Sequence, residues 1–115
     1  MSNSQTPPFD LDGLNQMYGK ETVLELLEMS VNEVRGLIDE ISTGIQDSDS
    51  RSLVAAAHQL KGLAATMTFN EMARLSLELE TAARQEDWPS IPKTAKTLSS
   101  EFDDLATYIA SILGS

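Results

Sequence analysis

Cysteine is absent from this chain of 115 residues, which excludes disulfides and any thiolate metal site. Histidine occurs once, so a zinc site would need carboxylates or a second chain to complete its ligands, and no metal or other cofactor is expected. Aromatic residues are few, with three Phe, two Tyr and one Trp, and the core must be mostly aliphatic. Basic residues are scarce as well: eight Lys and Arg against eighteen Asp and Glu leave a net charge of −10. A surface of that sign repels nucleic acid and anionic membranes over roughly a Debye length, so neither is expected as a partner. No apolar run approaches the roughly 20 residues that cross a bilayer. The opening MSNSQTPPFD lacks the basic and apolar regions of a signal peptide. A cytoplasmic location is the expectation.

What is present is periodicity. Hydrophobic residues make up 41% and charged residues 23%, the balance of one soluble globular domain that removes roughly two-thirds of its unfolded surface from water. The polar stretch before Phe9 ends in two prolines and reads as a disordered tail over residues 1–8, with one domain over 9–115. Leu11, Leu14 and Met17 predict a brief helix ending near Gly19. Leu24, Leu27, Val31, Val34, Ile38, Ile41 and Ile45 then follow at steps of three and four, one stripe on a long helix. Asp49 or Ser50 is placed to cap a second long helix, whose stripe is Leu53, Ala57, Leu60, Ala64 and Met67. Thr68 and Glu71 have the spacing of a capping box before Met72, Leu75, Leu79 and Ala82. That helix should stop before EDWPSIP, and Ala95, Leu98, Phe102, Leu105, Ile109 and Ile112 form a last stripe. No segment alternates with period two between hairpin signals. The fold class is therefore all-α: an antiparallel four-helix bundle with a short extra N-terminal helix.

The single histidine lies in AAAHQLKGLAATM. At about 100° per residue, His58 sits about 120 to 140° from the centre of its helix's apolar stripe, off the core face. Lys61 and Gly62, three and four positions on, are its neighbours one turn along; Val54 and Ala65 border the same side, and Arg51 lies there two turns earlier. A neutral imidazole nitrogen is a nucleophile near neutral pH. An adjacent ammonium offsets negative charge, and a glycine leaves an approach path open at a cost of roughly 1 kcal/mol inside a helix. That combination suits phosphoryl transfer, which asks mainly for position and charge compensation. Two blander readings stand beside it. A solitary histidine is often merely solvated, and Gly62 could mark a close helix crossing.

Taken together, Ala57, His58, Gln59, Leu60, Lys61 and Gly62 resemble the motif of histidine-containing phosphotransfer (HPt) domains: an alanine-rich approach, His, any residue, Leu, Lys, Gly. The segment NEMARLSLELETAARQEDWPSI is similar to the helix that follows in that family, and the resemblance runs from about Phe9 to Leu113. It departs at Leu63, where members carry a small polar residue, at Thr66, where Asn is frequent, and at Thr68, where glycine is common. The resemblance implies a phosphorelay carrier without kinase activity. His58 would take a phosphoryl group from the aspartate of one response-regulator receiver domain and pass it to another, Lys61 would steady the phosphate and Gly62 would leave room for it. Receiver domains are the implied partners, a hybrid sensor histidine kinase among their sources, and the receiver would bring the magnesium ion. The implied docking side carries Arg51, Val54, Gln59 and Ala65, bordered by Leu11 and Leu14 of the short helix and by the helix after Thr68. The domain is expected to act as a monomer. The alternative is a receiver-docking or general helical interaction module without phosphotransfer.

Overall fold

A computed structural model describes residues 7–114, so the expected tail falls outside the described residues as far as residue 6. The described residues form five helices: α1 Leu11–Tyr18, α2 Lys20–Gln46, α3 Ser50–Thr66, α4 Asn70–Arg84 and α5 Ile91–Leu113. No strand occurs among the described residues. The four long helices close a ring in which α2 packs on α3, α3 on α4, α4 on α5 and α5 on α2, while α1 lies against α2. The result is the four-helix bundle with a short N-terminal helix that the apolar periodicity predicts.

Helix starts and stops follow from local chemistry. The Asp10 carboxylate accepts from Gly13 N–H at 3.0 Å to cap α1, and Gly19, at φ 87°, turns the chain into α2. The Asp49 carboxylate accepts from Ser52 N–H at 3.2 Å and caps α3, one of the two capping positions expected. Helices α2, α3 and α4 all end in the same paired reverse bonds. Asp49 N–H donates to Gly44 O and Ser48 N–H to Ile45 O; Phe69 reaches Ala64 and Thr68 reaches Ala65; Asp87 reaches Ala82 and Glu86 reaches Ala83. This arrangement puts one residue in the left-handed region, where glycine is usual. Here Ser48, Thr68 and Glu86 occupy it at φ 52°, 60° and 52°.

The stripes of α3 and α4 are buried as expected, with Leu53, Ala57, Leu60 and Ala64 and then Met72, Leu75, Leu79 and Ala82 in the core. Three expectations need correction. In α2 the buried line is Val23, Leu27, Ser30, Val34, Leu37, Ile41 and Gly44, so Leu24, Val31, Ile38 and Ile45 form only its half-buried shoulder. Ser30 and Gly44 belong to that line, and at Gly44 the neighbouring helix comes close: a Cβ there would stand 3.0 Å from the Leu53 side chain. Met17 is 72% exposed, since one short helix needs only Leu14 to anchor it. The capping box does not form. With Thr68 held in the left-handed turn, its hydroxyl instead accepts from Asp10 N–H at 2.8 Å, Glu71 pairs with Arg74, and Phe69 takes the cap position without a side-chain bond. Phe9 packs edge-on against Phe69 and Tyr108, completing the tie between the N-terminal segment and the α3–α4 turn.

Candidate functional site

His58 stands on the outer side of α3 with 64% of its side chain exposed. Its stripe explains this: Ala57 and Leu60 enter the core at 0% exposure, and the imidazole follows the helix round to solvent. The ring is nonetheless held. Nδ1 lies 3.1 Å from Oε2 of Glu80 on α4, the neighbour across the α3–α4 seam. The same carboxylate receives Arg84 Nη2 at 2.8 Å on Oε2 and Lys61 Nζ at 3.0 Å on Oε1. Glu80 itself is only 6% exposed, a buried carboxylate gathering three cationic or donor groups from two helices.

Burial pushes the Glu80 carboxyl up, but the bonds from Arg84, Lys61 and His58 outweigh it and hold the pKa down at about 2. Glu80 is therefore ionised at neutral pH and can only accept. Nδ1 of His58 must carry the proton in that contact, which in the neutral ring leaves the lone pair on Nε2, the nitrogen turned away from Glu80. The site thus presents an oriented imidazole at the surface, with an ammonium and a guanidinium anchored beside it.

Gly62 answers the question its position raises. A Cβ built there meets no atom within 4 Å, so no helix crossing requires glycine at position 62. Around the ring, Arg51, Gln59 and Ala65 are exposed and Val54 is half-buried, all on the His58 side of α3. Arg51, Val54 and Arg84 also line an open groove between the start of α3 and the end of α4. On the other flank, Gln59, Gly62 and Leu63 face Leu26 and the 63% exposed Met29 of α2.

Two expected border residues are placed differently. Leu14 is 2% exposed and belongs to the core, so it offers no surface to a partner; it is the anchor that seats α1. Leu11 is half-buried and packs on the same core. The segment leading into α1 is tied to Thr68 and Phe69, whereas His58 lies eight residues before the end of α3, about 12 Å along the helix axis. The apolar flank nearest Gly62 comes from α2.

Sequence reasoning missed Glu80 and Arg84. A signal was available: Glu80 falls beside Leu79 on the core-facing shoulder of α4, where an apolar residue is the norm, and Arg84 follows it at the i+4 ion-pair spacing. Reading it required knowing which shoulder of α4 faces α3.

The family model of the Hpt domain matches residues 25–108. The chain belongs to the Hpt domain family. It is a phosphotransfer domain of two-component phosphorelays, a phosphoryl carrier and not a kinase catalytic domain. Among solved structures, the Hpt domain is similar to histidine-containing phosphotransfer protein B (HptB) from Pseudomonas aeruginosa PAO1, with 21% identity, TM-score 0.89, and 96% of this chain and 97% of that chain covered. It is also similar to the HPT domain of the Hpt sensor hybrid histidine kinase from Shewanella, with 20% identity, TM-score 0.78, and 93% and 94% covered. At these identities the likeness is one of fold. Comparison with curated proteins finds no match.

Proposed function

We propose that this Hpt domain accepts a phosphoryl group on Nε2 of His58 from the phosphoaspartate of one receiver domain and delivers it to the aspartate of another. The observation that carries the reading is the pairing of a 64% exposed imidazole with a buried carboxylate on Nδ1, which leaves Nε2 as the free nucleophile. Lys61 is the residue that swings from Glu80 to the incoming phosphoryl group, since its ammonium is already anchored on the carboxylate that holds the ring. Arg84, on the other oxygen, adds a second positive charge at the site. Gly62 leaves the surface flat where a receiver loop must come close.

The docking surface in this reading is the exposed side of α3, with Arg51, Val54, Gln59, Gly62 and Ala65, widened by Met29 and Leu63 on the α2 flank. An apolar surface beside a cationic centre suits a partner whose active site is acidic. We take the domain to work as a monomer in the cytoplasm, where it would meet successive receivers one at a time through this single face. The test is transfer itself. Mixing the domain with a phosphorylated receiver should yield label that is lost in acid and stable in base. His58→Gln should take up none, and uptake at the wild-type level would refute the assignment.

A further inference from the structure

The contact partner of Nδ1 is a carboxylate, and this has a consequence for the loaded state. When Nε2 attacks, its lone pair forms the N–P bond while the bond from phosphorus to the donor oxygen breaks and its electrons stay on that oxygen. No proton has to move. The ring then carries a proton on Nδ1 and a phosphoryl group on Nε2, and is a cation. An isolated ring of this kind can shed the Nδ1 proton to water and expose a lone pair there. In this domain that lone pair would face Oε2 of Glu80 at 3.1 Å, an anion against an acceptor.

The carboxylate has no means of adapting. An amide in its place could turn its NH2 group toward Nδ1, but an ionised carboxylate has no donor to offer. Rotation brings no donor either, since both oxygens of an ionised carboxylate accept, and Arg84 stays on Oε2 at 2.8 Å when Lys61 turns to the phosphoryl group. Two helices, α2 and α4, pack on α3 among the described residues. The charged groups toward the ring are Glu80 and Arg84 from α4, Lys61 and Arg51 from α3 itself, and Glu33 of α2, which lines the groove with Gln59 and Gly62. The phosphoryl group adds about two negative charges. Against Glu80, Lys61 and Arg84 alone this leaves the surroundings of the ring with an excess of negative charge, and Glu33 adds to it while Arg51 stands two turns away.

Resting on the carrier reading of His58, we infer that Glu80 keeps the proton on Nδ1 while the phosphoryl group is on Nε2, so that the loaded ring is a phosphoimidazolium. The onward step then has a simple form: the N–P electron pair returns to Nε2, and neutral imidazole leaves without waiting for a general acid. Glu80 is a positioning residue for loading and a proton holder for unloading.

The chain has a single histidine, so one ring reports the answer. Domain labelled with 15N at histidine is phosphorylated with phosphoramidate, and the Nδ1 resonance and the rate of phosphoryl loss are read at pH 8. The wild-type loaded ring should show a proton-bearing Nδ1. Glu80→Gln should show a lone-pair Nδ1 and lose phosphoryl about tenfold more slowly, the change expected for each pH unit by which a ring has passed to its neutral form. A lone-pair Nδ1 in the loaded wild type overturns the inference even if the variant does not fold. So do a protonated Nδ1 and an unchanged rate of loss in a folded variant. A wild-type domain that takes no phosphoryl group on His58 overturns the carrier reading and this inference with it.

Discussion

Gly62 is the residue at which folding and function part most cleanly. It is exposed, sits inside α3 and has free space where a Cβ would go. Gly62→Ala should therefore raise the stability of the free domain by about 0.5 to 1 kcal/mol through helix propensity and the entropy of the unfolded chain. The same change should slow transfer from a phosphorylated receiver; urea midpoints and transfer rates measured on one preparation test both halves. Leu60, two residues after the histidine, has the opposite character. It is 0% exposed, and Leu60→Ala should cost about 2 to 5 kcal/mol in urea unfolding. Lys61→Ala removes an ammonium that is about one-third exposed, and Arg84 and His58 remain on Glu80. Transfer should slow more than stability falls, and an unchanged transfer rate would remove the role assigned to Lys61.

At the scale of elements, the ends of α2, α3 and α4 share one geometry with a non-glycine residue at its left-handed position. Among the described residues Glu86 makes no hydrogen bond there beyond its backbone one to Ala83, so Glu86→Gly should stabilise the domain by about 1 kcal/mol, read as a rise in thermal midpoint. Thr68→Gly should not, because relief of the backbone is offset by loss of the hydroxyl that accepts from Asp10 N–H. Thr68 also illustrates what sequence patterns can and cannot specify. Helix number and extent were legible because apolar residues at steps of three and four must share one face of a helix, and Leu53, Leu60, Leu75 and Leu79 are buried accordingly. The capping box was not, because the same Thr–x–x–Glu spacing is compatible with a left-handed turn whose hydroxyl is claimed by a residue 58 positions away. The rotation of the α2 stripe escaped for a similar reason: Ser30 and Gly44 lie on its buried line, and small polar or side-chain-free residues do not advertise burial. His58, Lys61 and Gly62 could be placed together because they lie on one helix. Glu80, on another, could be joined to them only once α3 and α4 were paired.

At the scale of the whole molecule, a chain of net charge −10 concentrates three of its eight basic residues, Arg51, Lys61 and Arg84, on the flank of α3 and α4 that carries the histidine. The buried carboxylate among them links this site to global stability. Its pKa in the fold, about 2, lies below the ordinary value of 4.5, so Glu80 adds stability that is fully present above pH ~5 and is lost as pH falls toward 2. The contribution is at most about 3 kcal/mol and is reduced by salt, because the cations that hold Glu80 face solvent. Glu101 works in the opposite sense, its carboxyl pushed up by burial and by Glu71 and Asp104, so it favours the fold more as it becomes protonated. Urea unfolding between pH 2 and 6 should show the acid loss in the wild type and a shallower slope in Glu80→Gln. The central claim, that the exposed ring of His58 carries the phosphoryl group, is tested most directly by transfer from a 32P-labelled receiver followed by mapping of the labelled residue. The account predicts base-stable, acid-labile label on His58 of the wild type and none on His58→Gln; label of equal yield on the variant, or at any other residue, would contradict it.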